Sequence, residues 1–173
     1  DGHRDLVLAN RDGQQNVVLL NDGQANFTQR IPFGTGHDET RAIAVADLDG
    51  DGHLDWVAGN IRQPNAVYLG DGKGGARESL TFGRADAATY TVAIADMDKD
   101  GHPDIIVGNV AQPNAVFFNH GDGKHFREAR FGNTSQMTYN LAIGDLNQDG
   151  YPDIVLANSD SQNIIYLNLP ANR

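Results

Sequence analysis

Cysteine is absent from the sequence, so no disulfide framework exists and zinc would have to be held by histidine and aspartate alone. The missing thiols leave the compartment open, since secreted chains also do without them. Basic residues are scarce: 13 Lys and Arg stand against 23 Asp and Glu, a formal charge of −10 with no basic cluster to offset it, and nucleic acid is not an expected partner. No apolar run approaches the roughly 18–20 residues of a bilayer-spanning helix, so membrane insertion is not expected either. The opening Asp1-Gly2-His3-Arg4-Asp5 carries no signal-peptide pattern. Helical periodicity is missing along the whole chain. In its place stand 20 glycines, 6 prolines and 39% apolar residues in 173, the composition of a single domain of short strands and tight turns rather than of a disordered acidic tail.

What the chain does contain is a repeat. The strings AVADLDGDGHLDWVAGN, AIADMDKDGHPDIIVGN and AIGDLNQDGYPDIVLAN begin at Ala44, Ala93 and Ala142, 49 residues apart both times, and the opening DGHRDLVLAN is the second half of the same string. Asn16, Asn65, Asn114 and Asn163 keep that spacing, as do Phe33-Gly34, Phe82-Gly83 and Phe131-Gly132. Each period reads as four strands. In the second unit these are Ala42–Leu48, Leu54–Asn60, Ala66–Leu69 and Arg77–Phe82, with the third-to-fourth turn at Gly70-Asp71-Gly72 and its counterparts at Asn21-Asp22-Gly23 and Gly121-Asp122-Gly123. Strand one alternates small residues (Ala42, Ala44, Ala46; Ala93, Ala95; Ala142, Gly144), while strand two is almost continuously apolar and therefore covered on both faces.

A covered four-stranded sheet every 40–50 residues is the sequence pattern of a β-propeller blade, with the small strand nearest the axis. The expected fold is all-β: one partial β-propeller domain over 1–173, built of four-stranded antiparallel blades in units of about 1–33, 34–82, 83–131 and 132–173. A β-sandwich gives no reason for a period of 49, and a β-helix coil is usually shorter. By strands the chain reads two-three-four, two complete blades, then one-two-three. About three and a half blades do not close a ring of 4–8, so the expectation is a piece of a larger propeller that self-associates through its terminal blades.

Between strands one and two each repeat carries D-x-D/N-x-D-G-x-x-D. Four acidic or amide side chains within nine residues repel one another unless a cation sits among them. Oxygen-only donors select a hard ion, and several carboxylates on a flexible loop favour Ca2+ over magnesium. The bland alternative is a polar turn that merely favours Asp and Gly.

The loop, the apolar strand after it, the N-A-V-Y-L-G-D-G-K-G turn and the Phe-Gly pair resemble FG-GAP/VCBS repeats, which build the calcium-binding propellers of integrin alpha chains and of many secreted bacterial proteins. The resemblance covers essentially the whole chain. It implies metal ligands at Asp47, Asp49, Asp51, His53 (backbone) and Asp55; at Asp96, Asp98, Asp100, His102 (backbone) and Asp104; and at Asp145, Asn147, Asp149, Tyr151 (backbone) and Asp153. Asn147 keeps an oxygen donor but loses a charge. A fourth, truncated loop retains only Asp1, His3 and Asp5.

The metal loops and Asp-Gly turns share one rim, and the relatives usually bind partners on the opposite one, which here includes 34–41, 61–64, 83–91, 110–113, 132–140 and 159–162. Arg41, Tyr90 and Tyr139 take equivalent places there, either as ligand contacts or as covers for the inner strands. Asn60/Asn65, Asn109/Asn114 and Asn158/Asn163 read as loop-closing hydrogen bonders. Catalysis has little support. The six histidines (His3, His37, His53, His102, His120 and His125) follow no ligand spacing, and His37-Asp38-Glu39 reads as a solvated loop. The expected function is a calcium-binding extracellular or cell-surface module recognising protein or glycan. The alternative is the scaffold of a polysaccharide-active, lyase-like enzyme.

Overall fold

The computed structural model describes residues 2–169, which form fourteen strands and no helix. They make four antiparallel sheets of three, four, four and three strands. The first sheet is β1 (Leu6–Leu8), β2 (Asn16–Leu20) and β3 (Gln29–Phe33). The second is β4 (Thr40–Ala46), β5 (Asp55–Asn60), β6 (Asn65–Gly70) and β7 (Ala76–Phe82). The third is β8 (Thr89–Ala95), β9 (Asp104–Asn109), β10 (Asn114–Asn119) and β11 (Phe126–Phe131). The fourth is β12 (Thr138–Gly144), β13 (Asp153–Asn158) and β14 (Ile164–Tyr166). Every strand pairs with its successor within its sheet, so each sheet is a meander. No closed ring forms among the described residues.

Strand periodicity decides what faces what. In the second sheet Trp56, Ala58, Ala66 and Tyr68 pack against Val18 and Phe33 of the first, while Val57, Val67 and Leu69 turn the other way onto Ile105, Val107 and Phe117 of the third. Ile106 and Val116 then meet Leu141, Ile154 and Leu156 of the fourth. The three apolar clusters therefore lie at the three junctions between sheets, and β5 and β9 are buried along their whole length. The first strands lie side by side, β4 against β8 and β8 against β12. Gly59 and Gly108 permit this. A methyl at Gly59 would come within 2.7 Å of Val92 and one at Gly108 within 2.8 Å of Thr138, each on the first strand of the next sheet.

Two details depart from the sequence reading. Strand one starts earlier than expected, at Thr40 rather than Ala42, because Thr40 pairs with Asn60 across a bulge; the same irregularity recurs at Thr89/Thr91 and Thr138/Asn140. The residues skipped are Arg41, Tyr90 and Tyr139. Also, the counterpart of Gly72 is Gly121 and not Gly123, since the His53 ring lies against Gly72 as the His102 ring lies against Gly121.

At the rim where strand one begins, an Asn–Thr–Asn relay joins neighbouring sheets. Asn65 Nδ2 donates to Thr89 Oγ1 at 3.0 Å and Thr89 Oγ1 donates to Asn109 Oδ1 at 2.8 Å. Asn16–Thr40–Asn60 and Asn114–Thr138–Asn158 repeat it. Asn60, Asn109 and Asn158 also donate twice each within the two-to-three connection, from the backbone amide to Oδ1 of Asn65, Asn114 and Asn163 and from Nδ2 to the carbonyls of Pro64, Pro113 and Gln162, as the loop-closing reading expects.

Candidate metal centres

Each acidic loop leaves the end of a first strand and is shaped by its own carboxylates. Asp47 Oδ1 accepts from the Gly50 amide at 2.8 Å and Oδ2 from the Gly52 amide at 2.9 Å. Asp51 Oδ1 accepts from the His53 amide at 2.8 Å. The chain turns back sharply at Gly52, Gly101 and Gly150, all with φ near +90°, a conformation that a side chain resists. Between the first two carboxylates an apolar side chain anchors the loop: Leu48 and Met97 are buried against the sheets, whereas Leu146, in the last repeat, is 52% exposed.

The fourth carboxylate of the motif is the most deeply placed. Asp55 is fully buried; its Oδ2 accepts from the Leu48 amide at 2.7 Å and its Oδ1 from the Gly70 amide at 2.8 Å, so one side chain staples the acidic loop to the end of β6. Asp104 repeats this with Met97 and Asn119, and Asp153 with Leu146 and Asn168. In the first repeat Asp5 keeps one arm of the staple, accepting from the Asn21 amide at 2.8 Å; Asp1 lies outside the described residues. Burial raises the Asp55 carboxyl above the usual aspartate range and pushes that of Asp104 up to about 6, overriding the amide bonds that pull it down, with the neighbouring loop carboxylates adding to the rise.

These turns bring Asp47, Asp49 and Asp55 together, and Asp96, Asp98 and Asp104 together, with one oxygen from each within 4.8 Å of the others. A carboxylate that already accepts one amide bond per oxygen retains lone pairs for a cation. Three hard anionic oxygens with no nitrogen or sulfur donor suit calcium. Asp51 and Asp100 stand outside these groups. Asp100 caps the His102 amide, and Asp51 caps His53 while pairing with Arg77. In the third loop Asn147 turns its amide onto Asp149 Oδ2 at 2.9 Å, and Asp149 also caps the Tyr151 amide. No group of three acidic side chains converges there among the described residues.

Three contributors escape a motif reading. Arg77, on β7, donates to Asp49 and lies 3.0 Å from Asp51. Asn119 Nδ2 donates to the Leu48 carbonyl at 2.7 Å, and Asn168 Nδ2 to that of Met97, so each sheet grips the loop of the sheet before it. The His53 and His102 side chains pack on the neighbouring hairpins. The signal available was the 49-residue spacing of Asn119 and Asn168. On the opposite rim Asp38 accepts from the Thr35 amide and hydroxyl, and Glu39 accepts from the Asp12 amide. A family model described as an FG-GAP-like repeat matches the chain three times, over residues 1–58, 47–107 and 96–156. No curated protein matches it.

Proposed function

Because the chain belongs to the FG-GAP-like repeat family, we propose that it is a calcium-binding β-propeller module whose metal loops stiffen one rim while the other rim recognises a partner. The observation that carries the metal reading is the convergence of three carboxylates in each of two loops, one of them fully buried in each. Burying a carboxylate beside two others is unfavourable without a compensating charge, and two divalent ions would offset four of the ten net negative charges. The third loop, with Asn147 in place of a carboxylate, is the weaker candidate.

The side-by-side first strands and the apolar junctions support reading the four sheets as blades of one ring, completed by further blades. Loops of this donor type in extracellular modules bind at roughly 10⁻⁴–10⁻³ M, which suits a millimolar-calcium, extracellular setting. For the partner rim, the support is the row of bulged residues. Arg41 lies over the Tyr90 ring at 5.6 Å, and Tyr90 meets Tyr139 edge-on with centroids 5.0 Å apart. A cation and two half-open aromatic rings in line suit a glycan or a peptide.

Thermal unfolding tests the metal reading. At calcium tenfold above its dissociation constant each site adds about 1.4 kcal/mol, so Tm falls in chelator, returns with calcium and returns poorly with magnesium. A melting curve indifferent to calcium over this range refutes it.

A further inference from the structure

The two converged centres differ in one respect that the repeat pattern does not foresee. In the second sheet, the position that opens onto the metal loop from the fourth strand is Arg77; 49 residues on, in the third sheet, it is Phe126. Phe126 packs into the junction beside Phe82, ring centroids 6.0 Å apart. Arg77 instead reaches the loop, where its guanidinium donates to Asp49 Oδ2 and lies 3.0 Å from Asp51 Oδ2. The cleft it borders, between the first two sheets, has a volume of about 340 Å³. No lysine or arginine pairs with Asp96, Asp98 or Asp100 among the described residues. Lys99, inside that loop, is exposed and makes no ion pair with it.

We propose that Arg77 is a built-in counter-cation of the first centre, occupying the Asp49 carboxylate that a calcium ion needs and making this the weaker and later-filled of the two sites. The inference rests on the calcium reading above. Asp49 has one oxygen on the Asp51 amide and the other on Arg77, so an entering ion must displace the guanidinium or share a carboxylate with it. Sharing sets a divalent ion about 4–5 Å from the guanidinium, a repulsion worth roughly tenfold in affinity at the dielectric of bulk water and physiological salt, and displacement forfeits the ion pair instead. The second centre faces no such competitor. Calcium therefore loads the Asp96/Asp98/Asp104 centre first. When the first centre fills, Arg77 is released toward the cleft lined by Phe33, Trp56 and Tyr68.

Calorimetric calcium titration of the whole chain tests this, with Asp145→Asn throughout to silence the third loop. The parent should show two classes of site. Arg77→Ala should tighten the weaker class about tenfold and leave the tighter within about twofold, while Arg77→Lys keeps the weak class weak. Asp98→Asn should abolish the tighter class and Asp49→Asn the weaker, which assigns them. Arg84→Ala, which removes a positive charge paired with Asp86, should change neither. Equal tightening of both classes by Arg77→Ala, or an unchanged weaker class, overturns the inference and leaves calcium binding standing. No calcium bound by any variant overturns the calcium reading and this inference with it.

Discussion

Asp104 joins three tasks in one side chain: it bonds the Met97 and Asn119 amides, it is fully buried, and it faces Asp96 and Asp98. Burial raises its folded-state value from 3.8 to about 6, so between those limits the native chain holds a proton that the unfolded chain has lost. Without calcium, stability should accordingly fall as pH rises from about 4 to about 6, by on the order of 2–3 kcal/mol at most from this group. The carboxylates held below the usual range, Asp22, Asp86 and Asp122, act in the opposite sense, but only below the normal aspartate value. With calcium bound the trend reverses, because the ion needs the deprotonated form and affinity is lost as pH drops through about 6. Tm measured from pH 4.5 to 7 in chelator and in calcium should give slopes of opposite sign; parallel slopes contradict this assignment. Motif spacing was enough to mark Asp104 as a candidate ligand. It could not mark Arg77, which occurs in one repeat only, 22 residues beyond Asp55, and meets the loop through the twist of a separate strand.

Among the elements, strands and their faces were legible because alternation and a 49-residue period reinforce each other. Each strand of the second unit lies within about two residues of its expected limits. The bulges were not legible. Small residues fill strand one, so a slip of one residue between Thr40 and Ala42 leaves no mark in the hydrophobic pattern. Nor did the pattern reveal why glycine stands at 59 and 108. That reason lies in the adjoining sheet, and it yields a contrast. Gly108→Ala drives a methyl into Thr91 and Thr138 and should destabilise by about 1–3 kcal/mol. Gly144→Ala, in strand β12 with open space around it and an ordinary backbone, should be neutral or stabilise by up to about 1 kcal/mol. Urea denaturation of the two variants checks this; equal losses contradict the packing of first strands against their neighbours.

For the molecule as a whole, apolar clusters fill the three junctions, but the outer faces of the terminal sheets lack that cover among the described residues. Leu6 and Leu8 are exposed at one end, and Leu146, Ile165 and Leu167 at the other. Faces of this kind favour association. The chain by itself should therefore show a mass that rises with concentration in light scattering at about tens of micromolar, and Ile165→Lys with Leu167→Lys should suppress the rise; a concentration-independent monomer contradicts it. The period predicts these faces from the strand count alone, since a run of two-three-four, two full units and one-two-three leaves an incomplete sheet at each end. The central claim, that paired acidic loops are cation sites, is tested most directly by an anomalous difference map from crystals grown in about 10 mM calcium, well above the affinity range of such loops. The account predicts a peak among Asp47, Asp49 and Asp55 and a stronger one among Asp96, Asp98 and Asp104. Loops carrying the same carboxylate–amide bonds and no peak at either place would contradict it.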